Sequence, residues 1–237
     1  MFSVKWWERL SAALTLWLIW ICFASFHHAF LHPTDVTAIF LQLPGSNIAA
    51  EKAFLRWGET LKPILWTVYI PLYFTALPLA LTYTLFRRDE LFEEIVAAII
   101  LAYMIAFATY SFSVVRPPHE VLHENPLGVQ VSRLGNPRFV FPSLHVGIAT
   151  ILAVIFWEKR NKLRWYFVIL AILMPFAVVL LLQHWIWDVL GGWILAWAAL
   201  RWREQAVPKV ERFEKKTNVA TAILISLVSV VVLLWKI

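Results

Sequence analysis

Three short stretches of this 237-residue chain carry side chains suited to handling a phosphoryl group. Arg116 stands before Pro117 and Pro118; Pro142, Ser143 and His145 fall in FPSLHV; His184 and Asp188 fall in QHWIWDVLGG. Pro-Ser is a good helix start, because Ser accepts a bond from an orphan backbone N–H and Pro favours the first turn. Such a helix end attracts anions through its free N–H groups and dipole. His145, one turn inside, would stand beside an anion held there. His184 and Asp188 are four apart and share a helix face. A carboxylate at one ring nitrogen fixes the tautomer and makes the other nitrogen a better nucleophile or base. The planar fork of Arg116 suits phosphate oxygens. Each piece also has a plainer explanation: a helix cap, a structural hydrogen bond, a snorkelling arginine. Their order, and their common side of a membrane, argue for chemistry.

The elements that must hold these residues are membrane helices. The chain is 61% hydrophobic and 15% charged, with a mean hydropathy of +0.70. That is far more apolar than an ordinary soluble domain. Apolar runs long enough to cross about 30 Å of hydrocarbon predict spans at about 10–31, 63–86, 95–115, 142–157, 165–182, 185–202 and 219–235. The expected fold is all-α: one integral-membrane domain over 1–237, with six core transmembrane helices and a seventh at the C-terminus. The first run is too long for a signal-peptide core and is expected to stay as an anchor. Segment 34–61 is expected to be partly helical at the interface, and 116–141 to form a polar loop.

Lys and Arg set the orientation. With the N-terminus inside, fourteen of the 21 fall on inner segments and seven on outer ones, a bias that favours a cytoplasmic N-terminus. All seven histidines then lie on the outer, extracytoplasmic or lumenal side. Ionisable groups there suggest function. Many of the fourteen Trp, such as Trp6, Trp7, Trp157, Trp165 and Trp185, sit at span ends and fit an interfacial belt. The net charge of +6 sits at the ends of the spans and is no sign of nucleic-acid binding. Cys22 is the only cysteine, so a disulfide within the chain and a Cys-based metal site are excluded. His28 and His32 have a usable ligand spacing, but only Asp35 is near to complete a set, and no metal or cofactor is expected.

Arg-Pro, then Pro-Ser-x-His, then His-x-x-x-Asp, over six core helices, resembles the type 2 phosphatidic acid phosphatase superfamily. The resemblance covers about 95–200. FPSLHV, with Leu144 between Ser and His, looks most like the inositol phosphorylceramide synthase branch. The resemblance implies a metal-independent phosphatase of membrane lipid phosphates or diphosphates, with a phosphorylated lipid as substrate and the bilayer as partner. It implies His184 as the nucleophile that becomes phosphohistidine, Asp188 as its activator and His145 as the general acid. Ser143 and Arg116 would hold phosphate oxygens. A bell-shaped pH profile follows if His184 must start neutral and His145 protonated.

Two family cations are missing. The Lys expected seven residues before Arg116 is Thr109, and the Arg expected six before His184 is Val178. Arg133 and Arg138, in the same outer loop, are the candidate substitutes. His119 and His123 are expected to be solvated loop residues. Transfer of the phosphoryl or phospho-head group to a lipid or alcohol acceptor is the alternative outcome. A transporter is a third class, and a non-catalytic membrane protein a fourth. Against transport, the polar groups cluster at one face, and the halves show no internal repeat.

Overall fold

The computed structural model describes residues 5–86, 90–124, 126, 139–216 and 227. Among them the chain is all-α apart from one two-residue pairing. The helices are α1 (Lys5–Phe30), α2 (Thr37–Gln42), α3 (Ile48–Thr67), α4 (Tyr73–Leu85), α5 (Leu91–Phe112), α6 (Pro118–Leu122), α7 (Leu144–Glu158), α8 (Arg164–Leu180) and α9 (Ile186–Lys216). A π-helical segment, Val68–Leu72, joins α3 to α4. It contains Pro71, which has no N–H for the helical ladder; the local widening is where the helix absorbs that loss.

α7 is the centre of the bundle. Val146, Gly147, Ile148, Ala149, Ile151, Leu152, Ile155 and Phe156 are all buried, as expected of a helix apolar on every side. It packs against α8, α9 and α5, while α5 packs chiefly on α9. The buried face of α5 carries Ala98, Ala102 and Ala106 at a spacing of four. Small residues in such a row let neighbouring backbones approach closely.

Among the described residues, two helical stretches are long and apolar enough to cross a bilayer: Ile48–Leu85 and Leu91–Phe112. α7 and α8 are apolar but have 15 and 17 residues, about 22 and 26 Å at ~1.5 Å per residue. Full-length spans beyond these two are not shown among the described residues. Two boundaries also differ from the sequence expectation, and one expected span cannot be compared. The run expected at 63–86 is the second half of a 38-residue helical stretch. The charged stretch 203–216 continues α9 as helix, with Pro208 inside it. The span expected at 219–235 lies outside the described residues except for Leu227.

Ion pairs gather at one end of the bundle. Arg9 of α1 is 1% exposed and donates to both oxygens of Glu93, at 2.6–2.9 Å. Lys159 and Arg203 meet Glu94, and Arg203 also meets Glu158. At the other end of α5, the Tyr110 hydroxyl donates to the Pro142 carbonyl at 2.7 Å. There the strands β1 (Thr34–Asp35) and β2 (Ser113–Val114) pair in parallel, with Thr34 opposite Ser113 and Asp35 opposite Val114. This pairing carries Asp35 and Thr37 to Arg116.

Candidate active site

The site is built where the starts of α7 and α9 cross. Ser143 caps α7, its side chain accepting from the Val146 N–H at 3.4 Å. Its own N–H donates to the backbone carbonyl of Asp188 at 3.0 Å, so the two helix starts are tied together. Gly192 makes the approach possible. A Cβ there would lie 2.7 Å from the Ser143 carbonyl oxygen and 3.0 Å from Val146 Cβ. Gly191 faces Phe141 in the same way, at 2.6 Å from its ring. The peptide bond Phe141–Pro142 is cis.

At the α9 start, Asp188 has two tasks. Its Oδ2 accepts the Trp185 N–H at 2.7 Å, and its own N–H donates to the Trp185 carbonyl at 3.0 Å. This reciprocal pair satisfies N–H groups that a helix start otherwise leaves orphaned. The same Oδ2 lies 3.4 Å from Nδ1 of His184. His184 itself sits on the turn after α8, where Leu182 adopts a left-handed φ of 57°. The N–H groups of Gln183 and His184 both donate to the Val178 carbonyl, at 2.9 and 3.1 Å.

His145 Nδ1 faces His184 Nε2 at 3.1 Å. Tyr69 stacks on the His145 ring, with centroids 5.0 Å apart, and Tyr73 lies tilted against it at 4.6 Å. Burial pushes the His184 imidazole down to about 3, opposed by the Val140 carbonyl, and a nearby His119 adds to the depression. It is therefore neutral near pH 7, the form able to act as nucleophile or base. The arrangement is a neutral imidazole with a carboxylate at one nitrogen and a second histidine at the other. It suits nucleophilic attack coupled to proton transfer.

The sequence candidates separate into three groups. His145, His184, Asp188 and Ser143 come together, although the Ser143 hydroxyl is fully buried and engaged as the cap. Arg116 is adjacent through its backbone: its carbonyl accepts the Trp185 indole N–H at 2.8 Å, and its N–H donates to Thr37 Oγ1 at 2.8 Å. Its guanidinium is 63% exposed and pairs with Asp35 at 2.9 Å. Arg133 and Arg138 lie outside the described residues. Thr109, at the place of the family Lys, bonds back to the Ile105 carbonyl at 3.1 Å. Val178, at the place of the family Arg, is fully buried and serves the site through its carbonyl.

A family model described as the PAP2 superfamily matches residues 45–202. The chain belongs to the PAP2 superfamily. All of Arg116, Ser143, His145, His184 and Asp188 fall inside the matched region. The chain is also 29% identical over 196 residues to an uncharacterized protein of Methanocaldococcus jannaschii, an alignment covering 76% of this chain and 75% of that protein. No solved structure matches it. Membership in the PAP2 superfamily supports phosphatase or phosphotransferase activity on a phosphorylated substrate. With the two long apolar stretches, it is compatible with a membrane protein.

Several residues around this candidate site escaped sequence reasoning. Trp185 fitted an interfacial belt, yet it is fully buried and fastens Arg116 to the turn that carries His184. Its place beside His184 was the available signal. Trp7, Trp157 and Trp165 remain about half exposed, as a belt requires. His119 was expected in solvent. Instead, its N–H and its Nδ1 both meet the Leu182 carbonyl, at 3.1 and 3.0 Å. Burial lowers its pKa, against the opposing effects of that carbonyl and Glu120. Nothing in the sequence linked Tyr69, Tyr73 or Tyr110 to the histidines. Among the described residues no group of three or more metal-binding side chains occurs. His32 is exposed, and the side chains of His27 and His28 are not among those described.

Proposed function

We propose that the protein is a metal-independent phosphatase of membrane lipid phosphates or diphosphates, working through a phosphohistidine. The observation that carries this is the line of groups Asp188, His184, His145, with contacts of 3.4 and 3.1 Å. Asp188 favours the proton on Nδ1 of His184, which leaves Nε2 with the lone pair. The phosphoryl group enters between Nε2 and His145. Nε2 forms the N–P bond as the P–O bond to the leaving group breaks. The leaving oxygen takes its proton from Nδ1 of His145. Water then attacks phosphorus and gives a proton to His145, and the N–P bond breaks, which restores neutral His184. Arg116 neutralises charge on the phosphoryl oxygens after leaving Asp35, and Arg133 and Arg138 are its candidate helpers.

Two further features support a lipid substrate. A cleft of about 720 Å³ is lined by apolar groups of α3, α7, α8 and α9, including Phe54, Val179, Ile186, Val189 and Trp193. Large apolar side chains such as Phe112, Ile194 and Trp197 are more than half exposed, which suits contact with acyl chains. In this reading the chain is one multi-pass membrane domain, with its N-terminus in the cytoplasm and its site at the extracytoplasmic or lumenal face. The location of the Arg9, Lys159 and Arg203 ion pairs at the opposite end fits the Lys and Arg bias. Leu144 favours a second outcome, as in the inositol phosphorylceramide synthase branch: an alcohol in place of water discharges His184.

Purified protein incubated with phosphatidic acid and with a polyprenyl diphosphate tests the proposal. Turnover in the parent, lost in both His184→Ala and His145→Ala, is expected, with a phosphorylated protein found in the parent and absent from His184→Ala. Unchanged turnover in either variant would sink the mechanism. A new phospholipid with little free phosphate, when an alcohol is added, would replace hydrolysis by transfer.

A further inference from the structure

Behind the His184–Asp188 pair lies a buried polar cluster to which the chemistry above assigns no role. Glu51, in the first turn of α3, is 0% exposed, and neither carboxyl oxygen has a hydrogen-bond partner among the described residues. An acidic residue in a first turn ordinarily faces solvent or the free N–H groups there; Glu51 does neither. Asp188 Oδ1 and Ser46 Oγ are also buried and unpartnered. The elements around them are locked together. The Trp187 indole donates to the Pro44 carbonyl at 2.9 Å, Gly45 abuts Ile186, and Gly58 of α3 presses on the Leu180 carbonyl. Glu51 interacts electrostatically with Asp188 across this junction. The adjoining C-terminal turns of α8, up to Leu180, carry no ionisable side chain, nor does the 43–47 connection. On the α9 side, Asp188 is the titratable group that Glu51 faces.

Two carboxylates in a water-poor site cannot both be charged without large cost. Asp188 is the better seat for the negative charge. It receives the Trp185 N–H, lies in the first turn of a long helix and faces His184. Glu51 has none of these. We infer that Glu51 is a positioning residue for the His184–Asp188 pair: as a carboxylic acid it offers a hydrogen bond, through one bridging water, to Asp188 Oδ1, and so keeps the charged Oδ2 turned to His184. This rests on the phosphohistidine reading. A neutral acid kept as a hydrogen-bond donor is a known device of buried sites.

The test compares Glu51→Gln, Glu51→Ala and the parent in lipid-phosphate turnover and in infrared spectra of the purified protein. Glutamine keeps shape and donor but cannot ionise. In Glu51→Ala, kcat should fall about tenfold or more with KM little changed. Glu51→Gln should recover at least half of that loss on a logarithmic scale. The carbonyl stretch of a protonated carboxylic acid should be present in the parent and absent in Glu51→Gln. If Glu51→Gln is as impaired as Glu51→Ala, or Glu51→Ala matches the parent, or the acid band is missing, the inference is overturned. Should Glu51→Ala not fold, Glu51→Gln and the band decide. A parent with no turnover but a Glu51-dependent band would refute the proposed function and leave the Glu51–Asp188 contact standing.

Discussion

Gly192→Ala should damage the site without touching any reacting group. The added Cβ would sit 2.7 Å from the Ser143 carbonyl oxygen, 3.0 Å from Val146 Cβ and 3.3 Å from the Gly147 nitrogen. Ordinary C···O contacts are about 3.3–3.6 Å, so the starts of α7 and α9 must part by roughly 0.6 Å or more. Two of the three neighbours are backbone atoms and cannot rotate away. The separation stretches the 3.0 Å bond between the Ser143 N–H and the Asp188 carbonyl, and shifts His145 relative to His184. Overpacking of this kind costs about 1–3 kcal/mol. A displacement near 1 Å in a reacting pair can cost about 10²-fold in rate. Gly147→Ala is the comparison. Its new Cβ meets Leu195 Cδ2, a movable side-chain tip, at 3.2 Å and the Gly192 carbonyl at 3.3 Å, so a milder loss is expected. Thermal unfolding in detergent, with phosphate release from a lipid phosphate, reads both effects. Gly192→Ala with parental Tm and turnover, or Gly147→Ala the worse of the two, would refute the close-approach argument.

Other substitutions separate charge from scaffold. Asp188→Asn keeps an oxygen for the Trp185 N–H, so Tm should hold within a few degrees while turnover falls roughly 10³–10⁴-fold; parental turnover would remove Asp188 from the mechanism. Asp35→Asn frees the exposed Arg116 guanidinium. Because such a pair contributes about 0–1 kcal/mol, Tm should barely change. KM for a lipid phosphate should fall if Arg116 then meets the phosphate sooner, and a raised KM would count against that role. His184, at about 3 in the folded state against an ordinary 6.5, binds fewer protons folded than unfolded in that window. Stability is therefore fully present above pH 6.5 and lost as pH falls toward 3, by an order of 4–5 kcal/mol at most. Tm followed from pH 7 to 4 should drop less steeply in His184→Asn than in the parent; equal slopes would contradict the assignment.

The Ser143 cap before His145 and the His184–Asp188 contact were legible because both are local. A Ser cap before His145, and a His–Asp pair four apart, are set by positions close in the chain. The all-α fold and the starts of α7 and α9 were legible for the same reason, since apolar runs and caps are short-range signals. Helix ends were less so. Nothing in the composition of 203–216 distinguished a charged loop from the end of α9, which packs Val210 against Phe92, Val96 and Ala97. Pro63 looked like a beginning but lies inside α3.

Sequence alone determined which groups are available: a Pro-Ser-x-His helix start, a His-x-x-x-Asp pair, one Arg-Pro and no second or third family cation at Thr109 and Val178. The tertiary structure decided which of them meet. It put His145 Nδ1 against His184 Nε2 from positions 39 residues apart. It turned Arg116 outward to Asp35, and it buried Glu51 beside Asp188. The physical reason is that such contacts depend on how closely two helices cross. At this crossing a glycine hydrogen at position 192, where any other residue has a side chain, sets the distance.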